Sequence, residues 1–440
     1  MVTPEGLGES AQVSQSGGVK LLEPLNLGVL QAPTRIIFGP HETNLGSGRS
    51  ISADHVAYYQ RRAVGGAGII ITEEASVHES DWPYERAPLA VQCAQGWAEV
   101  VAACSCEGSL VLAALGHAGG QGTSHWSQRE LWAPSRVPEV NSREVPKWME
   151  PEDIAQVIDG FVLAARLAIE AGCDGVEINA GQYSLVRQFL SGLTNQRTDE
   201  WGGDRRLFLT QILTAVRGAI GSEKLLALRL ACDELAPWAG ITPEQAPGLA
   251  AELATQPEQG PLDLLTVVRG SIYSVSATRP GGHTPTGFNL ELSRAVRAEV
   301  RSATNDRVAV VAQGSIVEVD QAEWALADGI ADAVEMTRAQ ISDADLVAKL
   351  LAGQPSRIRP CTLSNQRSQV RDNRNPRVSA LGDPFSGYET KDAPYETAAA
   401  HPVELTVVGG GPGGLEAARV AAIRGHQVRL FEASETFGGM

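Results

Sequence analysis

Between Thr34 and about Leu350 the sequence alternates eight times between a short apolar run and a longer stretch that is amphipathic or polar. The apolar runs centre on residues 35–39, 68–72, 110–115, 175–179, 225–230, 262–268, 308–312 and 333–336. Apolar residues at helical spacing follow at 54–64, 151–171, 205–216, 290–300 and 319–327. Strands this short and apolar, separated by helices, belong to a parallel sheet covered on both faces. Eight such units in about 320 residues fit a closed (β/α)8 TIM barrel. A doubly wound open sheet gives the same alternation, but no glycine-rich nucleotide fingerprint follows the first run, which favours the barrel. Pro151 opens the longest helical stretch with Glu152 and Asp153 behind it. Proline needs no donor in a first turn, and the acids suit its positive end. Met149 and Glu150 stand where the cap belongs, although neither is a favoured cap residue.

The flanks are of other kinds. Residues 1–20 are rich in Ser, Gly and Gln and read as a flexible tail, without the cationic segment and apolar run of a secretory signal. The barrel is expected over 21–352. Residues 353–402 are polar, cationic and punctuated by proline, as in a linker or extended arm. Arg357, Arg359, Arg367, Arg371, Arg374 and Arg377 gather there, without the interleaved aromatics of a base-stacking surface. The arm is expected to lie, solvated, on an acidic neighbouring surface. Over the whole chain 36 Lys and Arg stand against 52 Asp and Glu, a net charge of −16. That balance argues against nucleic acid and against an anionic membrane surface as partners. No run approaches the ~20 apolar residues of a membrane span. Six cysteines without a disulfide framework point to a reducing compartment, the cytoplasm.

Residues 403–440 read as strand, glycine turn, helix, strand and acid. Gly409, Gly411 and Gly414 have the spacing of a dinucleotide fingerprint, and Glu432 follows Gly409 by 23 residues, near the distance of a ribose acceptor. This is the incomplete start of an FAD- or NAD(P)-binding domain. Its open faces call for partner strands from a further segment or another chain, so FAD binding by this stretch is not expected.

In a barrel, function gathers at the C-terminal strand ends. The residues there are Gly39–His41, Glu73–Glu74, His117, Asn179–Tyr183, Arg229, Arg269, Gln313–Gly314 and Thr337–Arg338. Free backbone donors near Gly314 and Thr337, with the Arg338 guanidinium, suit a phosphate; a purely structural reading of both loops competes. Arg229 is placed to stabilise negative charge on a cofactor ring, with a salt bridge to Glu177 or Asp233 as the alternative. Asn179, Gln182 and Tyr183 all offer hydrogen bonds; a phenol, with an ordinary pKa near ~10, is a donor unless perturbed. No metal-binding pattern appears.

These residues resemble the old yellow enzyme family. The likeness runs through LLEPLNLGVLQAPTRIIFG, GGAGIIITEEASVH, LGHAGGQG, DGVEINAGQYSLVRQFLSGLTNQRTDEWGG and MTRAQISDADLVAKLLAGQPSRIRPC. The branch is the one holding 2,4-dienoyl-CoA reductase, trimethylamine dehydrogenase and the N-methylproline demethylases. HETN at 41–44 and EEASVHESDWPYERAP look like the oxidoreductases encoded beside mycofactocin systems. The resemblance implies an FMN at the barrel mouth that passes hydride from NAD(P)H to an activated alkene or a conjugated carbonyl compound. It carries cofactor contacts onto Gly39, Pro40, His41, Glu73, His117, Arg229, Gln313, Gly314, Thr337 and Arg338, and substrate or catalytic contacts onto Asn179, Gln182 and Tyr183.

The departures from the family are informative. Its substrate-holding histidines are Asn179 and Gln182 here, its tyrosine falls on Ser184 with Tyr183 one residue early, and its glutamine falls on Ala114. Amides donate hydrogen bonds without titrating, so binding is expected to survive better than activation. Of the family's four cluster cysteines only Cys361 remains, with Ser364 in place of the second, so no [4Fe–4S] cluster is expected. Two other readings stay open: a degenerate flavoprotein-like subunit acting by association, as a homo-oligomer or with a partner that completes the C-terminal fragment; or an amine dehydrogenase or demethylase, to which Trp82, Trp126 or Trp132 would lend a cation-binding face.

Overall fold

The protein is described from a computed structural model, which covers residues 19–138, 140, 142–256, 262–368, 377–391 and 397–438. The tail over 1–18, and Arg371 and Arg374 of the basic stretch, lie outside the described residues.

All eight alternating units form. The strands are β1 (Ile36–Phe38), β2 (Ile69–Ile71), β3 (Leu110–Gly116), β4 (Gly175–Ala180), β5 (Leu225–Asp233), β6 (Leu264–Arg269), β7 (Ala309–Ala312) and β8 (Ala333–Glu335). Each pairs in parallel with the next, and β8 pairs with β1, so the sheet closes on itself. The helices that follow them are α1 (Ala53–Val64), α2 (Ala94–Ser105), α3 (Pro151–Glu170), α4 (Leu207–Ile220), α5 (Ala246–Thr255), α6 (Leu290–Thr304), α7 (Val319–Ala327) and α8 (Leu346–Leu351). Closure removes the exposed sheet edges, and this is why so short a set of strands is stable.

The cap of α3 corrects one reservation drawn from residue preference. Glu150 is an effective cap through reciprocity: its side chain receives the Asp153 backbone N–H, and its own N–H donates to Asp153 Oδ2 at 2.8 Å.

The main core lies between the barrel and its helices, with Trp97, Phe161, Phe189 and Phe208 fully buried in it. A second cluster fills the barrel's lower interior. There an antiparallel hairpin, Leu25–Leu27 with Leu30–Ala32, places Leu25, Leu27 and Ala32 against Ile37, Ile69, Leu112, Leu225, Leu264 and Ala333. The hairpin therefore plugs one end of the barrel with apolar side chains. Among the described residues no helix is long and apolar enough to cross a membrane, and the six cysteines are unpaired.

The cationic arm does lie on the barrel, through an Arg377–Asp54 ion pair at 2.6 Å; residues 353–357 are exposed as expected, but the stretch after Arg377 is packed rather than solvated. Val378, Ser379, Asp383, Phe385 and Ser386 are buried. Val378 N–H donates to Thr43 O at 2.8 Å, which binds the arm to the loop after β1. On α1 the fully buried Arg62 reaches the arm's Glu389 at 2.5 Å and lies over the Tyr58 ring at 3.8 Å. Beyond the arm, β9 (Glu404–Val408), α9 (Pro412–Ile423) and β10 (Gln427–Phe431) form the expected βαβ unit, its two strands parallel.

Glu389→Ala strands the Arg62 guanidinium without its carboxylate. We expect a loss of roughly 3–5 kcal/mol in urea unfolding, whereas replacing Arg62 and Glu389 together by methionine is close to neutral.

Candidate active site at the barrel mouth

Strand side chains alternate between the two faces of a sheet. The inward positions that begin in the apolar plug therefore continue upward: Leu225 and Ala227 lead to Arg229, Ala333 to Glu335, Gly175 to Glu177 and Asn179, and Leu112 and Ala114 to Gly116. The interior is apolar at one end and charged at the other.

Arg229 is the hub of the charged layer. Its Nε donates to Glu177 Oε1 at 2.9 Å and its Nη2 to Glu335 Oε2 at 2.5 Å. Thr266 adds a hydroxyl to Glu177 Oε2 at 3.5 Å. Burial pulls the guanidinium pKa down, but the two carboxylates outweigh it and hold Arg229 firmly charged. Burial pushes Glu177 up, against the pull of Arg229. The salt-bridge alternative is thus realised at Glu177 and extended to Glu335, while Asp233 pairs with Arg269 at 2.8 Å.

Two glycines make room for acids. A Cβ at Gly39 would overlap the Glu335 carboxyl, and one at Gly116 would overlap that of Glu74. Glu74 is half-buried on the cavity wall and accepts from Asn179 Nδ2. Burial lifts its carboxyl to about 8, with Asp81, Glu42 and Glu177 adding to the rise and the Asn179 bond opposing it. Glu73, its neighbour, behaves in the opposite way. It accepts from Thr43 N at 2.6 Å, Thr43 Oγ1 at 2.5 Å, His55 Nε2 at 2.6 Å and the Tyr84 hydroxyl at 2.5 Å. Burial works to raise its pKa, yet these donors hold it below the usual carboxylate range. Glu73 therefore anchors the loop after β1, although it also reaches the cavity.

These groups line one cavity of about 270 Å³ at the C-terminal mouth. Of the residues expected at a site, Pro40, His41, Glu73, Asn179, Gln182, Tyr183, Arg229, Gln313, Thr337 and Arg338 all line it. Gly39 and Gly314 sit beside it in the chain, Gly39 giving its N–H to Thr337 Oγ1 at 2.9 Å. His117 turns away from it: its Nε2 meets Ser80 Oγ at 3.0 Å, and its Nδ1 accepts the Gly119 N–H at 2.9 Å. His41 is occupied at both nitrogens, by Gly39 O and the Tyr58 hydroxyl, each at 2.9 Å, and burial lowers it to about 4, so it is neutral.

The substrate-side residues are also engaged. Asn179 Oδ1 accepts the Gly181 N–H at 2.7 Å, which turns Nδ2 toward Glu74. Gln182 donates to Arg269 O at 2.7 Å, and the Tyr183 hydroxyl lies 3.3 Å from Thr278 Oγ1 with Arg279 over its ring. Ser184 caps the helix Leu185–Leu190, accepting the Val186 N–H at 3.0 Å.

At the other end Gly314 has φ +137, and a Cβ there would sit 2.8 Å from that of Asn289; only glycine fits this turn easily. Ser315 follows, also at positive φ, and its hydroxyl accepts from Arg338 Nη2 at 2.5 Å. Arg338 Nη1 donates to Asn365 Oδ1 at 2.8 Å and to Pro280 O at 2.7 Å. Asn365 itself belongs to the arm, so the arm steadies this end of the cavity.

Sequence reasoning missed Glu42, Glu335 and Arg279 on the cavity wall, and of the Glu73–Glu74 strand end it carried forward only Glu73. The signal for Glu335 was present: an acid inside a buried run requires a partner.

The C-terminal fingerprint adopts its turn. Gly409 has φ +100, and Glu432 accepts the N–H of Gly410 at 2.6 Å and of Ser434 at 2.8 Å. These backbone donors depress Glu432 to about 2 and commit both of its oxygens to its own loop.

The fold and site define a (β/α)8-barrel protein with a polar, ligand-sized cavity at its mouth. The description of the NADH:flavin oxidoreductase / NADH oxidase family matches residues 20–357. A metal reductase of Desulforamulus reducens is 31% identical over 423 residues, 95% of this chain and 61% of that protein. The N,N-dimethylglycine/sarcosine dehydrogenase of Chromohalobacter salexigens is 31% identical over 446 residues, again 95% and 61%. Among solved structures, a 2-naphthoyl-CoA reductase complex superposes with a TM-score of 0.87 at 27% identity, over 95% of this chain and 65% of that one. The chain belongs to the NADH:flavin oxidoreductase / NADH oxidase family. It spans about three fifths of the length of these two curated relatives.

An acid with a raised pKa opposes folding once the unfolded chain can ionise it, a penalty that grows from its ordinary value of 4.5 up to about 8. Calorimetry should therefore show Glu74→Gln melting above the parent protein near pH 8, with the gap closing near pH ~4.

Proposed function

We propose that this chain is an FMN-dependent oxidoreductase of old yellow enzyme type, moving hydride between NAD(P)H and a small organic substrate by way of the flavin. The observation that carries this reading is the convergence of Ser315, Arg338 and Arg229 on one cavity, with the Gly314 turn beside it. The donor set fits the group. Ser315 and Arg338 supply donors, and the firmly charged Arg229 suits a ring that gains negative charge on reduction. A bound flavin would supply the hydride chemistry. The chain's own residues would do the rest: Arg338 and Ser315 hold the phosphate end, Arg229 faces the ring, and Glu73 keeps the loop at Pro40 and His41 in place beneath it.

For the substrate, an activated alkene or conjugated carbonyl compound is the first reading. A second, oxidation of a basic amine, is favoured by one observation. The Asn179 and Gln182 amides, which stand where a substrate oxygen would be held, already donate within the protein, and the wall beside Asn179 is the Glu74 carboxyl. A wall with an open acid suits a basic nitrogen better than a carbonyl. The curated relatives also include an N,N-dimethylglycine/sarcosine dehydrogenase and a probable N-methylproline demethylase.

The test is a visible spectrum of the purified protein, followed by anaerobic NADH and then NADPH. We expect flavin bands that bleach with one of the two, and FMN affinity reduced by about tenfold or more in Arg338→Ala, as for the loss of a charge-assisted bond. A colourless protein that takes up no added FMN would refute the reading and favour the non-catalytic subunit.

A further inference from the structure

Reduction of a conjugated alkene adds a proton as well as a hydride, and the cavity contains few groups able to carry one. Ser184 stands where the family tyrosine would be, but its hydroxyl donates to Asn179 O and caps a helix. The Tyr183 hydroxyl is paired with Thr278. His41 is neutral with both nitrogens occupied. Glu73 is filled by four donors, and Glu177 and Glu335 are bound to Arg229. Glu42, at the mouth, sits 3.9 Å from Arg279 and is 42% exposed, so water competes for its proton.

Glu74 combines a place on the wall with a fixed orientation. Gly116 provides the space for its carboxyl. Asn179 is oriented by the Gly181 N–H and so presents Nδ2, a donor, to Glu74 Oε2. A donor on Oε2 makes that the carbonyl oxygen of a neutral acid, which leaves the proton on Oε1. Among the described residues Oε1 has no hydrogen-bond partner.

We propose that Glu74 is the residue that exchanges the substrate's proton in this cavity, with Asn179 as its positioning residue. The proposal rests on the flavin reading above. In alkene reduction a bound flavin, reduced by NAD(P)H, would supply the hydride that the β-carbon of an unsaturated ketone accepts. The π-bond electrons take the proton from Glu74 Oε1 at the α-carbon. Glu74 is left as carboxylate and recovers its proton from water, and NAD(P)H is the source of the electron pair that the ketone gains. The charged groups that face Glu74 are Asp81, Glu42 and Glu177, all acids, and they favour its neutral form at neutral pH. Asp81 is held by Ser76 at 2.6 Å and Glu177 by Arg229.

The test divides turnover into halves by stopped flow on the flavin-loaded protein, with NADPH as reductant and 2-cyclohexenone as oxidant. In Glu74→Gln we expect unchanged reduction by NADPH and reoxidation slowed by about 10²-fold or more, as for loss of a general acid. In the parent protein reoxidation should fall above pH ~8, and Glu74→Asp should restore part of the rate. Infrared spectroscopy gives a flavin-independent readout: a protonated carboxyl band at pH ~7 that titrates near pH 8 and is absent from Glu74→Gln. Unimpaired reoxidation in Glu74→Gln, or no such band, overturns the role of Glu74 while leaving the flavin reading intact. Reduced flavin that the ketone does not reoxidise also overturns it. A protein that NAD(P)H does not reduce overturns the functional reading and this role together.

Discussion

The clasp of one arginine by two buried glutamates decides what the barrel mouth can be. Arg229 with Glu177 and Glu335 places three ionised groups above an apolar plug, where desolvation is costly unless every charge is bonded. The clasp meets that requirement across three strands, β4, β5 and β8, and so ties the barrel's closure to its chemistry. Space for it is built into the backbone, since Gly39 leaves room for Glu335. The same device recurs at Gly116 and Glu74, but there no cation arrives among the described residues, and the acid is left with a raised pKa and an open oxygen. One layer thus holds a locked carboxylate pair and a neutral acid side by side, the separation of roles that acid–base chemistry needs.

The fold was legible because barrel formation depends on period and repetition, which the chain states eight times. The strand runs lie within a few residues of where they form; β5 extends to Asp233, because its last residues remain inside the loop layer. The site was legible where the signal was local. Arg229 after LAL and Arg338 after MT both reach the cavity. It was illegible where the partner is remote in sequence. Nothing near His117 shows that Ser80 turns its ring away, and nothing near Glu74 shows that Gly116, on the next strand, leaves a place for it. Such pairs depend on strand register, and a one-residue change in register would reverse which side chains face inward.

The arm after the barrel shows how polar residues can hold a segment in place. Its cationic, proline-punctuated composition reads as solvated, yet Asn365 bonds Arg338 and Val378 bonds the loop after β1. Composition misleads here because buried polar residues that find partners look, in sequence, like surface residues. The C-terminal βαβ unit differs: its two strands expose one face among the described residues, with Val408 and Phe431 exposed, while the other face is half-buried under α9. Its glycine turn and acid are formed, but the acid serves its own loop.

All of this turns on a single claim, that one cavity receives the phosphate of a flavin at the Gly314–Ser315 turn and its ring beside Arg229. A crystal structure of the protein grown with FMN measures that directly. The account predicts phosphate oxygens within hydrogen-bonding distance of Arg338 and Ser315, with the ring edge against the Arg229 guanidinium. Density for FMN elsewhere on the molecule, or a cavity that stays free of it at saturating concentration, would contradict the account.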